Sequence, residues 1–303
     1  MSSDRRWNPG IAPAIGAYLA WGAFPLYWRL LEDVSPLEIV AHRVVWSFVF
    51  VALLVSWSKR WPALLTALRS RRVLVAMAVS TALISSNWLL FIWAVNSGHV
   101  TEASLGYYIN PLVNVLLARV ALGERLRPVQ LIAVALAAAG VVNLAAQAGG
   151  FPWVALTLAA SFGVYGLVRK LAPVESLEAL AIETGLAAPF ALAFIAWLQA
   201  SGGASFAAGA TDTALLVGAG VTTALPLLWF ASGARKLRYT TMGILQYIAP
   251  TGQLACAVLV FGEPFTSAHA ITFSLIWAAV ILYAVDGIRA AGAAERLSAP
   301  AGQ

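Results

Sequence analysis

The sequence predicts an all-α integral membrane protein of ten transmembrane helices, arranged as two inverted five-helix repeats with both termini in the cytoplasm. Three observations carry this: long apolar runs recur along the whole chain, Lys and Arg gather in every second connector, and motifs of the first half return in the second. Hydrophobic residues make up 61% of the 303-residue chain and charged residues only 11%, so most windows long enough to fold prefer hydrocarbon to water. The expected spans cover residues 11–31, 39–57, 73–95, 103–122, 131–145, 151–168, 179–200, 215–234, 242–261 and 271–288. Most approach the ~20 residues that a helix rising ~1.5 Å per residue needs to cross ~30 Å of hydrocarbon. A closed barrel would alternate apolar and polar residues, whereas the run 48–55 is apolar on all sides, so helices are the better reading.

The charges orient the bundle. Arg5 and Arg6 precede span one, and Lys59, Arg60, Arg69, Arg71 and Arg72 separate spans two and three. Arg119, Arg125 and Arg127 flank the end of span four, and Arg169 with Lys170 follows span six. Arg235, Lys236 and Arg238 follow span eight, and Arg289 and Arg296 close the chain. With ten spans, these seventeen of the nineteen basic residues fall on one side, the cytoplasmic one. The net charge of +6 reflects this retention bias; no basic folded domain exists for a nucleic acid to bind.

In chain order, span one is longer than a signal-peptide core and carries Trp21, Pro25 and Arg29, which disfavours cleavage. Span two holds His42 and Arg43. The connector after it carries Trp61, Leu64, Leu65 and Leu68 at helical spacing between basic ends, the pattern of a short helix on the inner leaflet. Span three contributes Asn87 and Trp88; span four places Tyr107, Asn110 and Asn114 on one face beside Pro111. Spans five and ten are nearly featureless and belong at the periphery. Span seven holds Glu183, span eight Thr222, Thr223 and Pro226, and span nine sets Gln246 and Gln253 around Pro250. Cys256 is the single cysteine, so no internal disulfide forms, and His42, His99 and His269 show no metal-ligand spacing.

Shifting the chain by 139 residues brings Tyr108-Ile109-Asn110-Pro111 onto Tyr247-Ile248-Ala249-Pro250 and Gly123-Glu124 onto Gly262-Glu263. Leu37-Glu38 meets Leu177-Glu178 at almost the same offset. Five spans per half is odd, so the second half enters the bilayer from the opposite face. Inverted repeats of this kind recur in transporters, with the ligand site near the midplane between the halves.

The candidate substrate-binding residues are therefore Arg43, Asn87, Tyr107, Asn110, Asn114, Gln246 and Tyr247. An amide in hydrocarbon must find partners, so these faces either line a wet cavity or glue helices together. Pro111, Pro226 and Pro250 are candidate helix breaks, and Gly106 and Gly243 allow hinge motion or close helix contact. Arg43 lies about five residues inside span two, where a guanidinium costs at least ~2.5 kcal/mol unless it reaches water or a partner. It either snorkels to the outer interface or faces the cavity and engages a substrate acceptor such as a carboxylate. Glu183, its counterpart in the repeat, is the expected proton-coupling carboxylate, with His42 a second candidate. A permanent Arg43–Glu183 bridge is not expected, because the two stand on opposite sides of the midplane.

The strings Ala41-His42-Arg43-Val44-Val45-Trp46-Ser47, Asn87-Trp88-Leu89-Leu90-Phe91-Ile92-Trp93 and Glu102-Ala103-Ser104-Leu105-Gly106-Tyr107-Tyr108-Ile109-Asn110-Pro111 resemble the RarD subgroup of the EamA-type drug/metabolite transporters. Tyr165-Gly166-Leu167-Val168-Arg169-Lys170, Ile182-Glu183-Thr184 and Gln246-Tyr247-Ile248-Ala249-Pro250-Thr251 continue the resemblance through the second half. It implies two EamA repeats in a bacterial inner membrane, with the first four helices of each around a central cavity. Ala249 stands where related proteins tend to carry Gly, which is expected to stiffen span nine. The expected units are residues 1–148 and 149–292, one repeat each, and a cytoplasmic tail, 293–303. The expected function is a multi-pass permease for a small metabolite or drug-like molecule, working by alternating access without cofactor or metal, with proton coupling through Glu183. A passive facilitator is the alternative, and a membrane-embedded enzyme a weaker one, since nearly all carboxylates lie near span ends. Its partners are then a small substrate and the lipid bilayer, as monomer or homodimer.

Overall fold

In a computed structural model, residues 8–97, 100–146, 151–262 and 265–298 are described, and every regular element among them is helical. His99, Glu263, Arg5 and Arg6 lie outside the described residues. The helices are α1 (Ile11–Arg29), α2 (Pro36–Trp57), α3 (Trp61–Arg69), α4 (Arg71–Asn96), α5 (Val100–Ala121), α6 (Pro128–Ala145), α7 (Trp153–Leu171), α8 (Ser176–Ala200), α9 (Ala210–Lys236), α10 (Tyr239–Leu245), α11 (Ile248–Ala255) and α12 (Ser267–Ser298).

Among the described residues, eight helical segments are long and apolar enough to cross a bilayer: α2, α4, α6, α7, α8, α9, α12 and the composite Tyr239–Val260. The other two expected spans form as helices of 19 and 22 residues, α1 and α5, whose Gly, Pro, Tyr and Asn content dilutes their hydropathy. Val120, Phe190 and Leu259 are 75%, 79% and 81% exposed, which makes sense where lipid is the solvent. The chain is thus an all-α membrane protein.

Sequence sets the helix ends. Proline stands in the first turn of α2, α3 and α6, where its missing N–H costs nothing. The Ser70 hydroxyl accepts from the Val73 amide and caps α4. Gly123 and Gly262 both take positive φ, 64° and 71°, a left-handed turn that ends α5 and the π-helical turn Cys256–Val260 in the same way. α3 buries Leu64 and leaves Trp61, Leu65 and Leu68 exposed, as a helix lying on a lipid surface requires.

Span nine differs from span four although the motifs match. α5 runs unbroken through Pro111, whereas the second copy breaks between α10 and α11 at Gln246–Tyr247 and ends in the π turn. The break falls just before Ile248, one residue ahead of Ala249, so the methyl group expected to stiffen this span does not keep it continuous. α12 also runs past residue 292 to Ser298 without interruption.

α2 packs between α8 and α9, α1 against α9 and α11, and α7 against α4 and α5. α6 and α12 pair with each other at the edge, where Asn143 Nδ2 donates to Thr272 Oγ1 at 3.1 Å and Thr272 Oγ1 to the Gly140 carbonyl at 3.1 Å. Gly220 lets α9 approach α2, because a Cβ there would run into the backbone of Trp46. These contacts place α1, α2, α4, α7, α8 and α9 around the middle of the bundle.

Candidate functional site

α2, α4, α7, α8 and α9 enclose a narrow cavity with about 30 Å³ open to the centre of a water molecule. That admits roughly two waters and no metabolite. Its wall includes Ser47, Thr81, Trp88, Tyr165, Glu183 and Thr223. Because α2 and α8 carry Ser47 and Glu183 on their inner faces, the polar residues meet between helices instead of facing lipid.

Arg43 lies behind one end of the cavity wall, against two residues that line it, Thr223 and Trp88. Its Nε donates to Thr223 Oγ1 at 2.9 Å, and the indoles of Trp28 and Trp88 flank the guanidinium with ring centroids 4.8 and 4.7 Å from Cζ. α1, α4 and α9 therefore hold the guanidinium between helices, through Trp28, Trp88 and Thr223. Tyr107, 39% exposed and edge-on to Phe91, stands within electrostatic reach of the guanidinium.

Glu183 sits at the other end with a partner the sequence reading did not assign. Arg169 Nη1 donates to Glu183 Oε2 at 2.5 Å, and the Ser80 hydroxyl donates to Oε1. The two side chains of the pair are 1% and 4% exposed. Arg169 Nη2 also donates to the Ser176 carbonyl at 3.2 Å. Ser176 lines a second, open recess of about 390 Å³ at the basic end, together with Arg60, Glu175, Glu178, Arg235 and Lys236. Arg169 thus bridges a residue of the cavity wall, Glu183, and a residue of the recess wall, Ser176. Beside it the Tyr165 hydroxyl, also in the cavity wall, has no partner among the described residues.

The amides form a separate cluster. Asn114 Nδ2 donates to Gln246 Oε1 at 2.7 Å and to Asn110 Oδ1 at 3.3 Å, and Asn110 Nδ2 donates to the Ala159 carbonyl at 2.9 Å. Asn87 Nδ2 reaches the Leu158 carbonyl at 2.9 Å and Ser161 Oγ at 2.8 Å. These bonds tie α5 to the break between α10 and α11 and to α7, and α4 to α7, and none of the four amides lines the narrow cavity. The buried Tyr247 hydroxyl and Asn114 Oδ1 have no partner among the described residues. Gly106 and Gly243 serve close helix contact: a Cβ at Gly106 would fall 3.2 Å from the Ala155 carbonyl, and one at Gly243 2.8 Å from that of Pro111. Pro226 is buried in an unbroken α9, and Pro250 lies in α11 just past the break.

His42 belongs to a clamp at the far end of the bundle. Its Nδ1 accepts from Trp46 Nε1 at 3.2 Å, its ring stacks on Phe206, and Nε2 stands 4.0 Å from Glu38 Oε1. Glu38 Oε1 accepts the amides of Ser205 and Phe206 at 2.8 and 3.0 Å, so the start of α2 grips the loop after α8. Glu178, at the start of α8, binds Arg60 of the loop after α2 at 2.6 Å. That bond raises the Arg60 pKa above its ordinary value.

A multi-pass helical bundle with a polar seam around a central cavity is the class of a membrane transporter. The EamA-like transporter family pattern matches residues 8–145. An uncharacterized transporter of Vibrio cholerae is 46% identical over 95% of both chains, and protein RarD of Escherichia coli is 42% identical over 94% of this chain and 96% of its own. A chloramphenicol-sensitive protein RarD of Pseudomonas aeruginosa is 36% identical over 92% of this chain and 95% of its own. A crystal structure 20% identical in sequence superposes with a TM-score of 0.71 over 92% of this chain and 98% of that one, which establishes the shared fold. The chain belongs to the RarD-type EamA transporters.

Proposed function

We propose that this protein is a secondary transporter of the bacterial inner membrane that carries a small polar or amphipathic metabolite by alternating access between two inverted five-helix halves. Both termini then lie in the cytoplasm, and the basic end of the bundle is the inner one. The observation that carries the reading is the central cavity bounded by Arg43 at one end and by the Arg169–Glu183 pair at the other. Support for the inverted arrangement comes from matched contacts: α1 packs on α9 as α4 packs on α7, and Glu38 and Glu178 each grip the loop beyond the other's helix.

On this reading the ion pair is the inner closure. Opening toward the cytoplasm parts α8 from α7, and two bare charges leaving each other in a dry site is costly. A proton on Glu183 removes one of the two charges, and parting the helices toward the recess lined by Ser176 lets water reach the other, Arg169, so the protonated pair opens at a lower penalty than the charged one. Glu183 is thereby the coupling group, and His42, engaged with Trp46 and near Glu38 at the other end, is not on the same path.

The test is flux in proteoliposomes, with a ligand first found by thermal stabilisation of the purified protein. Uptake accelerated by an imposed proton gradient, and made gradient-independent by Glu183→Gln, is the expected result. Equal flux with and without the gradient in the unaltered protein identifies a passive facilitator. Chemical conversion of the ligand identifies an enzyme, a class that the transporter names of the relatives do not favour.

A further inference from the structure

The charge around the cavity is unbalanced, and this selects among substrates. Glu183 is neutralised by Arg169, while Arg43 has no carboxylate within 4.0 Å among the described residues and donates only through Nε. Its terminal nitrogens, a planar fork with four N–H groups, are left without a described partner. Two indoles flank the guanidinium, and Tyr107, edge-on to Phe91, stands within electrostatic reach of it. Trp88 and Thr223, which hold Arg43, also line the narrow cavity, so a ligand that enlarges the cavity past these two side chains comes up against the guanidinium.

We infer that the substrate is a small organic monoanion, a carboxylate on an aromatic or otherwise apolar body, bound through its carboxylate to the Arg43 fork and through its body to Trp28 and Trp88. This rests on the transport reading of the cavity and names the class of its cargo. One fixed positive charge matches one negative charge. A phosphate dianion would leave a net negative charge in a low-dielectric site, and a cation would face Arg43 with no free carboxylate to receive it. Thr223, by accepting from Nε, turns the remaining four N–H groups away from itself, which leaves the end-on bidentate geometry that a carboxylate fits. The indoles supply the apolar contact and hold the guanidinium by cation–π attraction when no ligand is present.

The experiment uses the purified full chain and the probes benzoate, phenylacetate, benzamide, benzylamine and inorganic phosphate, read by thermal stabilisation and by Trp fluorescence. The two carboxylates are expected to raise the apparent melting temperature and perturb the fluorescence, with the other three inactive. Arg43→Gln is expected to weaken carboxylate binding about tenfold or more. Arg43→Lys keeps the charge but loses the fork, and is expected to fall between the two; it also serves if the Gln variant does not fold. Benzamide or benzylamine stabilising as well as benzoate, phosphate alone binding, no carboxylate binding, or benzoate binding unchanged in Arg43→Lys would each overturn the assignment. Neutral or cationic compounds carried across proteoliposomes would leave the transport reading standing while removing the carboxylate. Arg43-dependent benzoate binding with no movement of any compound would do the reverse.

Discussion

Breaking the buried ion pair from one side should be far worse than removing it whole. Arg169→Met leaves the Glu183 carboxylate with only the Ser80 hydroxyl, and Glu183→Leu leaves Arg169 with only the Ser176 carbonyl. Both side chains are almost fully buried, 1% and 4% exposed, so bulk water does not replace the lost partner, and the cavity beside Glu183 has room for only about two waters. A buried charge stranded in this way costs about 3–5 kcal/mol. At roughly 2 °C per kcal/mol for a chain of this size, each single variant should melt about 6–10 °C lower. The double variant, with two apolar side chains facing each other, should recover most of that loss, giving a coupling of about 2–4 kcal/mol. Cys256 is the single cysteine and is buried, so a thiol-reactive dye follows unfolding without an added label. Single variants that melt like the parent, or a double variant whose loss equals the sum of the two, would refute the pairing.

Three further outcomes follow from the same contacts. Glu124→Ala removes the acceptor of the Tyr239 and Thr240 amides and of the Thr240 hydroxyl, and should cost about 1–2 kcal/mol with faster amide exchange confined to α10. Gly220→Val, which forces α9 off the Trp46 backbone, should lower the melting temperature by several degrees, whereas Gly287→Ala, with nothing within 4 Å of its new methyl, should match or exceed the parent. Arg60→Ala strips the buried Glu178 carboxylate of its cation and should destabilise measurably more than Arg29→Ala, whose partner Glu32 is half-exposed; melting curves of the two variants decide it.

The inward-facing part of this site was partly legible in the sequence. Arg43 announced itself because a guanidinium inside an apolar run is costly anywhere, and Asn114 and Gln246 because amides in hydrocarbon must pair; the structure joins those two at 2.7 Å. The paired Gly-Glu turns were readable for the same reason: both glycines sit where only positive φ ends the helix. Arg169 was missed because it lies beside Lys170 at a helix end, where a basic pair counts as orientation signal. Its spacing held the clue: Tyr165, Gly166 and Arg169 share the buried face of α7, so Arg169 points into the bundle. Ser80 gave no signal, since a hydroxyl in an apolar helix can satisfy itself on its own backbone. The break in span nine was also hidden, because Pro111 and Pro250 share a local motif and only the packing of each copy decides whether the helix bends or parts.

The claim on which the account rests is that the two halves run through the bilayer in opposite senses. Arg125 and Thr266, both exposed, follow the two Gly-Glu turns. Arg125→Cys and Thr266→Cys, each on a Cys256→Ser background, can be labelled with a membrane-impermeant thiol reagent on intact cells and on inverted vesicles. The account predicts labelling of position 266 only in cells and of position 125 only in inverted vesicles. Labelling of both positions from one side would contradict it.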